Sequence, residues 1–314
     1  MKRPVILLMF VIFFLSACSD RLSKHGVIKS TLGTPVSSAQ MLASMENRGP
    51  IVFEKILSME QYSKRSEQII LDEEAIQAGI EDADETINIY FYAIRHPTKG
   101  LFLIDSGMPE NYSDHFSFVA KKITADMKFK LIQTTHAWIK SLEGEEIKGI
   151  FLTHLHFDHA MGVAATPNDT PIYVGPNDGT QQDFSNRFLG GPTDSALSGK
   201  PLLRELDFVA GPTGPFQGIL DVFGDGSFYA ILTPDHTPGS LAYLLKTTEG
   251  PQLITGDTAR TRLEWTIDAK PIWFAEGKEA AQARSAKVLK DFVSQHKEID
   301  VHLGHQSLTR TGSK

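Results

Sequence analysis

Between His154 and His159 the chain carries four side chains that bind metal ions: His154, His156, Asp158 and His159, within Thr153-His154-Leu155-His156-Phe157-Asp158-His159. Neutral imidazole and carboxylate together suit borderline divalent cations such as zinc, or iron, manganese and cobalt. In an extended chain, residues two apart point the same way. His154, His156 and Asp158 are therefore expected to share one side, with His159 leaning elsewhere. One metal ion can take the first two histidines, and a second, about 3.5–4 Å away, can take Asp158 and His159. A solvated loop with three histidines is the alternative, and the inventory and spacing of the ligands argue against it.

Such a loop needs support. Ile147-Lys148-Gly149-Ile150-Phe151-Leu152 reads as a buried strand, so the ligands fall where a strand ends and a loop begins. Other strands lead into similar groups. Leu103-Ile104 runs into Asp105, Leu253-Ile254-Thr255 into Gly256-Asp257, and Val301-His302-Leu303 into Gly304-His305. Ser227–Leu232 delivers Thr233-Pro234-Asp235-His236. A carboxylate between two cations can ligate both, which suits Asp257. His302 and His305 compete for one place at the end of the last strand.

The stretch 154–159 resembles the H-x-H-x-D-H signature of the metallo-β-lactamase superfamily. Leu103 to Gly107, His236-Thr237-Pro238-Gly239-Ser240, Gly256-Asp257-Thr258 and Gly304-His305 resemble the family's other site segments, in the same order. The resemblance implies an α/β (α+β) fold, the αββα sandwich of two mixed β-sheets flanked by helices, holding two divalent metal ions. Zinc is the expected metal, with iron, manganese or cobalt as alternatives. His154, His156 and His236 are implied for the first ion and Asp158, His159 and His305 for the second, with Asp257 touching both. His305 matches the family position better than His302. Asp105 is implied as the carboxylate that orients a metal-bound histidine, against an Asx turn before Ser106-Gly107. Two departures stand out: Ala160-Met161-Gly162 lacks the family's paired glycine, and Asp235 replaces the glycine before the third histidine.

The implied chemistry is attack by a metal-bridging hydroxide, with Asp158 as the catalytic group that takes or returns a proton. A bridging aspartate at 257 favours lactone, ester, thioester or phosphodiester substrates over β-lactams. Ser240 after the glycine resembles quorum-signal lactonases, so a lactone or carboxylic ester of a small molecule is the first expectation. A phosphodiesterase would use Arg260 or Arg262, and a thioester hydrolase would use the same site. A one-iron sulfur dioxygenase would need fewer ligands. A metal site serving structure alone would be closed by four ligands, which seven candidates for two ions do not resemble. Phe184, Phe188, Leu189, Trp265, Trp273 and Phe274 are candidate pocket walls, with packing as their other role.

The chain starts with Lys2-Arg3 and an apolar run from Val5 to Leu15, too short for a membrane span and typical of a secretory signal. Leu15-Ser16-Ala17-Cys18 resembles a bacterial lipobox, and Cys18 is the one cysteine of the 314 residues. That excludes an internal disulfide and a cysteine-metal site. Cys18 is the expected lipidation site, carrying acyl chains such as palmitate. The expected protein is exported and membrane-anchored on the periplasmic side or at the outer membrane, which Ser19 favours. Losing Lys2 and Arg3 on cleavage takes the formal charge from −7 to −9. Such an acidic chain is poorly matched to nucleic acid.

The expected organisation is a signal peptide over 1–17, a lipidated tether over 18–49 and one catalytic domain over 50–314. His25 in the tether is expected to be solvated, and residues 41–45 to form a short helix. Residues 51–57, 87–94 and 100–105 read as strands, as do 171–175, 219–223, 227–232 and 241–245. Asp225-Gly226 marks a turn. A helix or lid is expected up to about residue 187, an irregular Gly/Pro/Ser-rich segment over 188–214, and a helix over 277–296. His96, His115 and His136 read as ordinary histidines.

Overall fold

Burial on both faces of the central strands sets the layering. On the strand Asp84–His96, Phe91 and Ala93 point into one hydrophobic cluster while Tyr90, Tyr92 and Ile94 point into another. On Leu241–Thr247, Leu241, Tyr243 and Leu245 share the second cluster, and Ala242 and Leu244 enter a third. Alternation of this kind, with both sides apolar, requires cover on both faces. The computed structural model, which describes residues 22–45, 48–118, 121, 128–180, 186–208, 214–272 and 279–308, supplies that cover with two sheets packed face to face and helices outside them.

Strands are numbered by chain order. The first sheet runs β1 (Val27–Lys29), β9 (Leu203–Glu205), β8 (Ile172–Val174), β7 (Ile147–Phe151), β5 (Gly100–Ile104), β4 (Asp84–His96), β3 (Val52–Lys64) and β6 (Lys128–Leu131). The second runs β14 (Asp300–His302), β13 (Gly250–Ile254), β12 (Leu241–Thr247), β11 (Phe228–Leu232), β10 (Ile219–Asp221) and β2 (Thr34–Pro35). Both are mixed. β5, β7 and β8 are parallel neighbours, as are β13 and β14, whereas β3, β4 and β6 pair antiparallel. This is the expected αββα sandwich.

The parallel pairs matter for the site. Because β5 and β7 run the same way, Asp105 and the loop 153–159 leave the first sheet at one edge. Because β13 and β14 run the same way, residues 255–257 and 303–305 leave the second sheet together. Leu241 N–H donates to Thr153 O (2.9 Å) and joins the two sheets at that edge.

Three expectations change. Residues 22–45 are no free tether: β1 pairs with β9, β2 pairs with β10, and the helix Ser38–Ser44, closed by a Ser37–Gln40 capping box, buries Met41 against the second sheet. His25 is half-buried, with Nε2 2.9 Å from Pro201 O. Residues 186–197 are helical despite Pro192, where breakers had suggested an irregular segment. The hydroxyl of Thr193 on this helix donates to Leu155 O (3.0 Å), so packing on the ligand loop overrides local preference. Residues 1–21, including Cys18, lie outside the described residues.

Met41 distinguishes a folded N-terminal segment from a tether. Met41→Ala is expected to lower the unfolding free energy by about 2–4 kcal/mol in denaturant titrations. A free tether would leave the midpoint unchanged.

Candidate metal centre

β7 ends at Phe151, and Thr153 and His154 follow as buried loop residues. His156 has extended backbone angles and caps a short helix, Phe157–Ala160. Asp158 and His159 therefore stand on a helical turn, and Asp158 does not share a side with His154 as extended spacing suggested. The turn carries it to His159 and His305.

All seven expected ligands converge, in two groups joined by Asp257. In the first, His154 Nε2 and His236 Nε2 each lie 2.9 Å from His156 Nδ1. Asp257 Oδ2 lies 3.3 Å from His236 Nε2 and 3.9 Å from His154 Nε2. In the second, Asp257 Oδ1 lies 3.2 Å from both His159 Nε2 and His305 Nε2. Asp158 Oδ2 lies 3.4 Å from His305 Nε2 and 3.8 Å from His159 Nε2. The two carboxylate oxygens of Asp257 thus face different groups.

The donor set fits cations. His156 Nδ1 offers either one lone pair or one N–H to two imidazole nitrogens at equal distance, whereas a cation can accept all three lone pairs. Burial pushes the pKa of His154, His156 and His236 down, which keeps these rings neutral, with a lone pair open to a metal. Buried His159 Nε2 makes no hydrogen bond among the described residues. Burial opposes a charge on His159 and His305, but the neighbouring carboxylates outweigh it and raise both. Burial alone would raise the Asp257 pKa; His305 and His159 hold it well below the carboxylate range.

Outer partners fix which nitrogen faces inward. His159 Nδ1–H donates to Asp105 Oδ2 (2.9 Å), which fixes the ring of one ligand candidate. Asp105 has a left-handed φ of 55° and also accepts from Thr153 N (2.8 Å) and Thr153 Oγ1 (3.0 Å). His305 Nδ1–H donates to the carbonyl of Asn88 (2.8 Å). Asp178, unnoticed in the sequence, accepts from the Thr237 hydroxyl and from the amides of Leu155 and Gly239. It ties the His154–His156 loop to the His236 loop, and burial pushes its carboxyl up to about 6. Gly239 packs so close to Gly175 that a Cβ on Gly175 would fall 1.8 Å from Gly239 O. Ser240 Oγ accepts from Thr237 N (2.9 Å) and is buried, so it shapes this turn.

His302 stays outside. It is half-buried between the sheets beside Phe53 and Tyr92, its Nε2 2.7 Å from Gln252 Oε1, and desolvation pushes its pKa down to about 3. His96 Nδ1 accepts the amides of Thr98 and Lys99, and His115 Nδ1 lies 3.0 Å from Ser195 Oγ. His136 is exposed. Arg260 is buried, paired with Glu264 (3.0 Å), and its charge acts on His156 and His236. Arg262 braces Ser307 O and Gln306. Trp265 packs against the core beneath the second sheet. Phe184, Trp273 and Phe274, and the side chains of Phe188 and Leu189, lie outside the described residues.

Layered fold and paired ligand groups together define a metal-dependent hydrolase. Residues 84–304 match the family model of the Metallo-beta-lactamase superfamily, and the chain belongs to that superfamily. It is 26% identical over 233 residues to an N-acyl homoserine lactonase AttM of Agrobacterium fabrum (strain C58 / ATCC 33970), covering 71% of this chain and 83% of that one. It is 33% identical over 139 residues to a gamma-lactamase, FDB1, of Fusarium pseudograminearum (strain CS3096), covering 41% and 33% respectively. Among solved structures, a mutant of B. thuringiensis AiiA with N-decanoyl-L-homoserine bound at the active site superposes with a TM-score of 0.54 at 20% identity, covering 81% of this chain and 92% of that one.

The two C-terminal histidines should separate cleanly. His305→Gln is expected to lower zinc content per chain by about one ion, measured by elemental analysis, while His302→Gln retains it. A depressed folded pKa makes the stability from His302 fully present above its unfolded value near 6.5, and lost as pH falls toward 3. The wild type should therefore lose about 2 kcal/mol more than His302→Gln between pH 6.5 and pH 5. Parallel pH profiles would contradict this.

Proposed function

We propose that this chain is a dinuclear hydrolase that opens a lactone or cleaves a carboxylic ester of a small molecule, with two zinc ions as its cofactors. The observation that carries the reading is Asp257, with Oδ2 directed at the three-histidine group and Oδ1 at the second group. His154, His156 and His236 would hold one ion, Asp158, His159 and His305 the other, and Asp257 both. Cations there would bring bound water toward ionisation near neutral pH and polarise a carbonyl oxygen. Asp105 and the Asn88 carbonyl keep Nε2 of His159 and His305 turned inward. Asp158, whose side chain is 20% exposed against 6% for Asp257, is the acidic residue of the set with access to water. It takes the proton from the attacking water and returns it to the leaving oxygen.

Relatives named as N-acyl homoserine lactonases support the lactone as substrate. One observation favours a second reading, phosphodiester cleavage: the buried Arg260 places a cation near both groups. The basic start, apolar run and Cys18 support export and a lipid anchor, which the mass of the mature protein would test.

Proton release from acyl lactones of varied tail length, by zinc-loaded and chelator-stripped protein, tests the main reading. Metal-dependent acid release is expected. A protein that holds two zinc ions and cleaves only phosphodiesters would move the assignment to the second reading.

A further inference from the structure

Asp235, one of the two departures from the resemblance, has an unusual backbone. Its φ is +132°, where a residue with a side chain is held only by its surroundings. Glycine would adopt it without help. The surroundings here are specific. Asp235 N–H donates to Thr237 O (3.1 Å), closing a tight turn about His236. Ser285, buried on the helix Glu279–Gln295, shares its hydroxyl hydrogen between Pro234 O (2.8 Å) and Asp235 Oδ2 (2.9 Å). Arg284 places a positive charge near the same carboxylate. Asp235 belongs to neither ligand group. His236, the next residue, lies 2.9 Å from His156 and 3.3 Å from Asp257.

We propose that Asp235 and Ser285 form a strap that fixes the place of the His236 imidazole, so that the grip of the three-histidine group on its cation depends on the helix 279–295. The inference rests on His236 being a metal ligand. Cutting the strap lets Asp235 relax toward negative φ, which turns the peptide that enters His236 and moves the ring. Asp235 and Ser285 are positioning residues: neither needs to touch metal or substrate. A glycine at 235 would tolerate the same φ but leave the turn free to take others, so the two solutions differ in rigidity.

The test uses the full chain and zinc alone, titrated against a chromophoric chelator, with the visible spectrum of the cobalt(II)-loaded protein beside it. Ser285→Ala is expected to weaken one of two zinc ions at least tenfold and to alter the cobalt spectrum. Ser285→Thr keeps the hydroxyl and restores both. In the Ser285→Ala background, Asp235→Gly recovers part of the loss, because glycine adopts the same φ without strain, although it does not fix it. Zinc binding unchanged in Ser285→Ala, or a double variant no better than Ser285→Ala, overturns the strap. If Ser285→Ala does not fold, Asp235→Ala takes its place, with the same loss expected and unchanged binding overturning the proposal. His236→Gln separates the two layers: if it keeps both zinc ions at wild-type affinity, His236 is no ligand and the reading beneath the strap fails.

Discussion

A carboxylate buried among five imidazoles is the constraint on which this structure depends. Asp257 is 6% exposed and lies within 3.9 Å of a ring nitrogen of His154, His159, His236 and His305. Taking an ionised carboxylate out of water costs several kcal/mol unless partners offset it. The charges of His159 and His305 offset part of that cost, and divalent cations would offset more. Each ring must then be held so that its lone pair faces inward, and much of the surrounding architecture does this. Asp105 and the Asn88 carbonyl hold the second group by their Nδ1 hydrogens. Asp178 and the Asp235–Ser285 pair hold the turns that bear the first.

The sandwich brings these groups together over short paths. Parallel pairing sends the ends of β5 and β7 to one edge and those of β13 and β14 to the facing edge, so side chains as far apart in sequence as His154 and His305 meet without long excursions. The layers behind are apolar and well filled. Tyr92, Phe151, Phe228 and Tyr243 are fully buried between the sheets, and Tyr243 donates its hydroxyl to Leu152 O (2.8 Å) beneath the ligand loop. A packed interior moves little, which suits a site whose ligands must stay within tenths of an ångström.

What the sequence made legible follows from how each signal is written. Strands covered on both faces are continuous apolar runs, and ligands at their ends are dense and regularly spaced, so β7, β13 and the stretch 154–159 could be read directly. Position 158 could not, because nothing in His156-Phe157-Asp158 announces that a helix begins there. Residues 22–45 looked like a tether because β1 and β2 are edge strands with exposed side chains, joined to the sheets by backbone bonds that carry no residue signature. The helix 186–197 was hidden by Gly190-Gly191-Pro192, whose breaking tendency is overcome by contacts far away in sequence. The Asn88 carbonyl was invisible for the same reason as the edge strands. Asp235 was visible as a departure, but its partner on a distant helix was not.

The central claim is that one aspartate joins two cation sites. Anomalous X-ray diffraction from zinc-loaded crystals, recorded on either side of the zinc edge, tests it most directly. Two peaks about 3.5–4 Å apart, one within the His154–His156–His236 group and one within the Asp158–His159–His305 group, with an oxygen of Asp257 on each, are the expected result. A single peak, or two peaks that leave Asp257 unligated, would contradict the account.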